Sequence, residues 1–286
     1  MGKLLPDQVK ELWQQGDQQN LSSEDCYIEQ ERLLDTYRSI WKNALCLENH
    51  QDLQESILWE LGQYMECEDL TEIRSRCQQA VATLKNEWQD KVAVGDRKSV
   101  EQYYDESQTT IYELMWWHTL SEDSSPLAYV TALEFAQQQS CHRYLDFGAG
   151  IGSGGILFSR NGLDVTLADI SSPLQQFSQW RLEKRKLPAQ FIDLKAGVLP
   201  DKAFDIVTAM DVFEHLVNPV ETIEQLSDAL KPGGFFFARL ASEIDEERPQ
   251  HIVQDFGPTF QRLQKLGFVQ VWQDDWLWGH VVFRKP

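Results

Sequence analysis

One glycine-rich run can do chemistry: Leu145-Asp146-Phe147-Gly148-Ala149-Gly150-Ile151-Gly152-Ser153-Gly154-Gly155, set between a strand-like and a helix-like stretch. Glycines at 148, 150 and 152 let the backbone turn sharply and approach a ligand closely, because no Cβ intervenes. Such a turn binds a ligand such as a dinucleotide, or is a plain tight turn. The next element discriminates. Asp169 ends the following strand, 21 residues after Gly148. A carboxylate there accepts two hydrogen bonds from a ribose diol. The bland alternative is a helix cap ahead of Ser171-Ser172-Pro173, and the spacing favours the ribose. Three histidines, His118, His215 and His251, are candidate proton acceptors near neutral pH. His215 falls just after the fourth strand, where a reacting atom is expected to sit.

The elements that position these residues read in two parts. From Pro6 to about Val94 there are two glycines, at 16 and 62. Apolar residues recur at helical spacing, as in Leu34, Tyr37, Trp41, Ala44 and Leu45, or Ile73, Cys77, Ala80, Leu84 and Trp88. Ser22-Ser23-Glu24-Asp25 and Asp69-Leu70-Thr71-Glu72 are expected helix starts. This gives three or four antiparallel helices, a break at Val94-Gly95-Asp96-Arg97, then helices over roughly 99–118 and 126–139. After Cys141, short strands alternate with helices: 143–146, 164–168, 189–192, 204–209 and 234–239. That pattern predicts a mostly parallel sheet covered on both faces. Residues 268–272 and 280–283 stand at hairpin spacing and predict an antiparallel edge. The fold class is therefore α/β, doubly wound, with an antiparallel edge hairpin, preceded by an all-helical N-terminal part. The expected domains are 1–98 and 99–286.

Composition narrows the partners. Of 286 residues, 42% are hydrophobic, and 26 basic against 45 acidic side chains leave a formal charge of −19. A surface that negative repels phosphate backbones and anionic membranes, so neither nucleic acid nor a membrane is an expected partner. A local basic patch at Arg181 to Lys186 remains open. Five cysteines, at 26, 46, 67, 77 and 141, form no CxxC pair and suggest neither a disulfide framework nor zinc. Without a signal-like apolar core near the start, a cytoplasmic location is the default.

Three later segments add specificity. Phe191-Ile192-Asp193-Leu194, then Phe204-Asp205-Ile206-Val207-Thr208-Ala209-Met210-Asp211-Val212-Phe213-Glu214-His215-Leu216, then Leu230-Lys231-Pro232-Gly233-Gly234 follow the loop in order. With the glycine loop and Asp169, they make the chain resemble class I S-adenosylmethionine-dependent methyltransferases over about residues 99–286. Within that group it is similar to the small-molecule, ubiquinone-biosynthesis O-methyltransferase-like branch, on a Rossmann-like fold. A dinucleotide dehydrogenase is not expected to show the last two segments. The resemblance implies S-adenosylmethionine as cofactor. It also implies a donor site of Asp146, Gly148, Ala149, Gly150, Gly152, Asp169, Ile170, Asp193, Leu194 and Met210. Asp146 and Gly148 would face the methionine part, Asp169 the ribose, Asp193 and Leu194 the adenine, and the backbone at Met210 the sulfonium.

On the acceptor side, Tyr103-Tyr104-Asp105 and the aromatic run Ile111 to His118 are expected to cover the donor, with Tyr104, His118 and His215 as candidate catalytic residues. Plain helix packing is the alternative for most of that run. Asp211, Glu214 and His215 resemble a Glu-x-x-Glu-His pattern associated with a divalent metal, but Asp replaces the first Glu and no metal is expected. The leading reading is methyl transfer to a small molecule, oxygen favoured. A protein or peptide methyltransferase and a non-catalytic interaction protein stay as alternatives. The N-terminal helices are expected to wall the acceptor pocket or to form a homodimer interface.

Overall fold

A computed structural model describes residues 2–19, 22–93, 95–241 and 246–286. Met1, residues 20–21, Val94 of the expected break and residues 242–245 lie outside the described residues. The N-terminal part is helical: α1 (Leu5–Gln19), α2 (Ser23–Leu45), α3 (Leu53–Tyr64) and α4 (Leu70–Lys91). Ser22 caps α2 through a reciprocal box with Asp25, and Asp69 accepts from the amides of Thr71 and Glu72 at the start of α4. Both satisfy backbone donors that the first turn leaves free.

The single helix expected over 99–118 is two, α5 (Arg97–Glu106) and α6 (Thr109–Trp117). Ser107 is extended (φ −75°, ψ 113°). The hydroxyls of Ser107 and Thr109 both donate to the carboxylate of Glu87 on α4, at 3.1 and 2.8 Å. A long-range acid thus makes the break, with neither glycine nor proline at the junction. After a 3₁₀ turn at Ser125–Leu127 comes α7 (Ala128–Gln138).

The sheet is built from β1 (Arg143–Phe147), β2 (Asp164–Asp169), β3 (Gln190–Asp193), β4 (Phe204–Ala209), β5 (Leu230–Arg239), β6 (Val269–Gln273) and β7 (His280–Arg284). Among the described residues its order is β3-β2-β1-β4-β5-β7-β6. The first five strands run parallel, and β7 pairs antiparallel with both β5 and β6. Helices α8 (Ser153–Arg160), α9 (Ser172–Lys184), α10 (Pro219–Ala229) and α11 (Gly257–Lys265) form the connections. The direction of winding reverses between β1 and β4, so a crevice opens above their C-terminal ends.

Alternation along the strands divides two apolar layers. Tyr144, Val165, Leu167, Ile206 and Phe237 face one side, and Leu145, Ala168, Val207, Phe236 and Ala238 the other. The first layer continues without interruption into the N-terminal helices, through Trp41, Ile57, Leu61 and Ile73. The two arginines of the segment 181–186 are turned inward: Arg181 is buried completely and the side chain of Arg185 is 2% exposed, so they form no surface basic patch. No helix is long and apolar enough to cross a membrane, among the described residues.

Candidate active site

The crevice is a cleft of about 1240 Å³. Its floor is the turn after β1. Gly148 and Gly150 have φ of +69° and +52°, a region costly for residues with a Cβ. A Cβ on Gly148 would lie 2.5 Å from Val212, and one on Gly150 3.0 Å from Leu114 of α6. The space between loop and cover is therefore open only because these two residues lack side chains. The loop amides are also held: Gly148 N and Ala149 N donate to Ala168 O at 2.8 and 3.2 Å.

Asp169 closes the end of β2. One carboxylate oxygen accepts from Gly150 N (2.8 Å) and the other from Ser171 N (2.9 Å). Helix α9 is capped instead by Ser171, whose hydroxyl accepts from Leu174 N. Burial pushes the Asp169 carboxyl up, while the backbone donors pull it back. Each oxygen keeps a second lone pair for a ligand hydroxyl.

Of the residues expected to hold the donor, Gly148, Ala149, Gly150, Asp169, Ile170, Leu194 and Met210 line the cleft. Asp146, Gly152 and Asp193 do not. Asp146 is buried beneath the loop, accepting from Thr208 Oγ1 at 3.0 Å. Gly152 packs away from the cleft, toward Ser178 of α9. Asp193 turns its carboxylate back onto Lys195 N (2.9 Å), presenting the following Leu194.

His215, His118 and Tyr104 all line the cleft. The Tyr104 hydroxyl lies 3.0 Å from His215 Nδ1, which is also 3.1 Å from Gln250 O. A carbonyl only accepts, so the proton sits on Nδ1 and Nε2 is left as an acceptor. Burial and the neighbouring His251 lower the pKa of His215 to about 4. Burial also lifts the Tyr104 phenol well above its usual range. His118 comes from the end of α6 and packs edge-on against Trp41 of α2, with ring centroids 5.5 Å apart. Burial first, then the Arg181 charge, take its pKa down to about 3.

Two features were not read from sequence. His251 packs edge-on against His215, with ring centroids 4.9 Å apart. With Glu214, the pair offers donor atoms that lie within 4.8 Å of one another, a set able to hold a borderline divalent cation. Asp211 is not part of that set. Held at φ +50°, it pairs with Arg239 at 3.0 Å. Residues 213–215 form one 3₁₀ turn. Glu214 Oε2 is buried without a hydrogen-bond partner, and burial with the nearby Asp211 charge lifts its carboxyl to about 8.

The site's charges suit a sulfonium nucleoside better than a pyrophosphate. Arg97, Lys195, Arg239 and Arg248 are the basic residues that line the cleft among those described. Each is paired with a carboxylate: Glu101, Asp105, Asp211 and Glu113 respectively. None stands at the glycine loop to neutralise phosphate. The loop backbone, an acidic strand end and an apolar ledge at Leu194 fit an uncharged nucleoside, and the surrounding carboxylates fit a cation.

Comparison with known proteins gives the same direction. Residues 116–268 match the family model described as a methyltransferase domain. A ubiquinone biosynthesis O-methyltransferase of Photorhabdus laumondii is 29% identical over 134 residues, covering 43% of this chain and 54% of that protein. A demethylmenaquinone methyltransferase of Thermus thermophilus is 29% identical over 107 residues, covering 36% and 49%. The chain thus spans about half the length of the curated relatives it matches. A SAM-dependent methyltransferase of Leishmania major shares the fold, with a TM-score of 0.51 and 15% identity over 70% of this chain and 89% of that one.

Proposed function

The chain belongs to the class I S-adenosylmethionine-dependent methyltransferases, and on that premise we propose that it methylates a small-molecule acceptor, oxygen favoured. One observation carries the reading: a donor wall of Gly148, Gly150, Asp169, Leu194 and Met210 faces Tyr104 and His215 across a single cleft. The names of the relatives, O-methylation in ubiquinone biosynthesis and demethylmenaquinone methylation, support an acceptor of that size.

S-adenosylmethionine supplies an electrophilic methyl group on a sulfonium. The loop at 148–150 and Asp169 bind and orient the nucleoside, with Asp146 and Gly152 shaping the loop from beneath and Asp193 setting up Leu194. In-line displacement needs alignment and exclusion of water more than it needs a catalyst for bond making. The aromatic cover, half-buried Tyr104 and Trp117 with buried Tyr129, does the excluding. His215, fixed with its proton on Nδ1, keeps Nε2 free to take a proton from an acceptor hydroxyl. We assign residues 99–286 to donor binding and chemistry. Residues 1–98 cover the acceptor side or pair two copies, in a cytoplasmic protein that binds neither nucleic acid nor membrane.

Calorimetric titration with S-adenosylmethionine and its demethylated product tests the reading. Binding of both is expected, and absence of both refutes it. Labelled donor incubated with a metabolite extract is then expected to label a small molecule. Label in protein instead would refute the acceptor class.

A further inference from the structure

A buried charged network links the N-terminal helices to the cleft, and nothing in the donor or acceptor wall accounts for it. Glu60 of α3 is completely buried. Its Oε2 accepts from Arg181 Nε and Nη2 at 3.2 and 3.1 Å, and its Oε1 accepts from Arg185. Burying such a trio is costly unless every donor is used. Arg181 spends its remaining reach on the site. Nη1 donates to Ile151 O in the glycine-rich turn and to Ser153 Oγ, both at 2.9 Å. Ser153 Oγ in turn lies 2.8 Å from His118 Nδ1.

The direction of that last bond follows from the donors available. A guanidinium only donates, so Ser153 Oγ accepts from Arg181 and its own proton must go elsewhere. Ser153 is 1% exposed, and His118 Nδ1 is the one acceptor within reach among the described residues. Were Nδ1 protonated, the buried hydroxyl would accept twice and donate to nothing, an unsatisfied state that folded proteins avoid. Nδ1 is therefore the acceptor and the proton sits on Nε2.

We propose that Arg181 and Ser153 are positioning residues which fix His118 as the neutral Nε2–H tautomer. His118 then offers the cleft a hydrogen-bond donor for an oxygen of the bound molecule, and is not the general base. Trp41 Nε1 completes the setting by holding His118 O at 3.0 Å. The two cleft histidines thus have opposite polarity: His215 presents a lone pair and His118 a proton. This deepens the methyltransferase reading and rests on it for the identity of the bound molecule.

Nitrogen-15 spectra of the histidine side chains in the full chain at neutral pH test the inference, with His118→Gln assigning the signal. The expected wild-type result is an unprotonated Nδ1 and a protonated Nε2. Ser153→Ala is expected to release a mixture of the two tautomers, and Ser153→Thr, which keeps the hydroxyl, to restore one. Arg181→Lys, which keeps the charge but cannot serve both Glu60 and Ser153, is also expected to give the mixture. If that variant does not fold, the serine pair decides. A wild-type His118 protonated on Nδ1, or a Ser153→Ala spectrum like wild type, would overturn the proposal. Titration of the same samples with S-adenosylmethionine keeps the two readings apart, since failure to bind strikes the proposed function and leaves the tautomer result standing.

Discussion

Asp146 provides a quantitative test of how burial shapes this site. Its side chain is fully buried, one oxygen accepts from Thr208, and Oδ2 has no hydrogen-bond partner. Burial raises its pKa from 3.8 to about 7. The native state therefore keeps a proton that the unfolded chain has already released over about pH 4–7. Where the unfolded state binds fewer protons, stability falls as pH rises, and it levels off once both forms are ionised. With those two pKa values, the Asp146 contribution falls by roughly 2–3 kcal/mol between pH 5 and pH 8. Asp146→Asn cannot titrate, so its stability lacks this slope. Any cost of the new amide is the same at both pH values and cancels in the comparison. Urea unfolding of both proteins at pH 5 and pH 8 gives the difference directly. The variant is expected to gain roughly 2–3 kcal/mol on wild type across the interval. A gain below about 0.5 kcal/mol, the usual error of such comparisons, would mean the carboxyl is ionised in the native state at pH 5.

Other substitutions probe the remaining joints. Asp169→Ala is expected to weaken S-adenosylmethionine binding by about 1–3 kcal/mol, the scale of hydrogen bonds to a charged group; unchanged calorimetric affinity would place the ribose elsewhere. Gly150→Ala forces a side chain into left-handed backbone and toward Leu114, costing roughly 1–2 kcal/mol. Its thermal midpoint and donor affinity are both expected to fall, and a variant with wild-type affinity would refute the cradle. Glu60→Ala leaves two arginines buried without their partner and is expected to cost about 3–5 kcal/mol in denaturant unfolding; a loss under 1 kcal/mol would mean water reaches them.

Much of this was legible from local pattern. All seven strands fall within a few residues of their expected places, because apolar runs bounded by turn residues leave little choice of register. The cleft walls were legible too, since the glycines and Asp169 sit at fixed distances from strand ends. What escaped was set by residues far apart in the chain. Glu60 and Arg181 are 121 positions apart, and no periodicity announces that an arginine in the last turn of a helix of mixed polarity turns inward. The split of 99–118 depends on Glu87, whose role is invisible until α4 packs beside it. His251 likewise meets His215 across a segment held by Val253 N bonding to Glu214 O at 3.0 Å and by Gln250 O against His215 Nδ1 at 3.1 Å. Asp211, which the motif grouped with Glu214 and His215, is held instead by Arg239 at the end of β5.

The position of β7 has a consequence for folding. The strand that emerges from the ribosome after β6 lies inside the sheet, between β5 and β6. Until residues 280–284 are available, the flank of β5 carrying Phe236, Phe237 and Ala238 is an unpaired template. Open apolar flanks of this kind recruit other chains. A chain in which β6 has formed before residues 280–284 dock is thus the folding species most open to self-association.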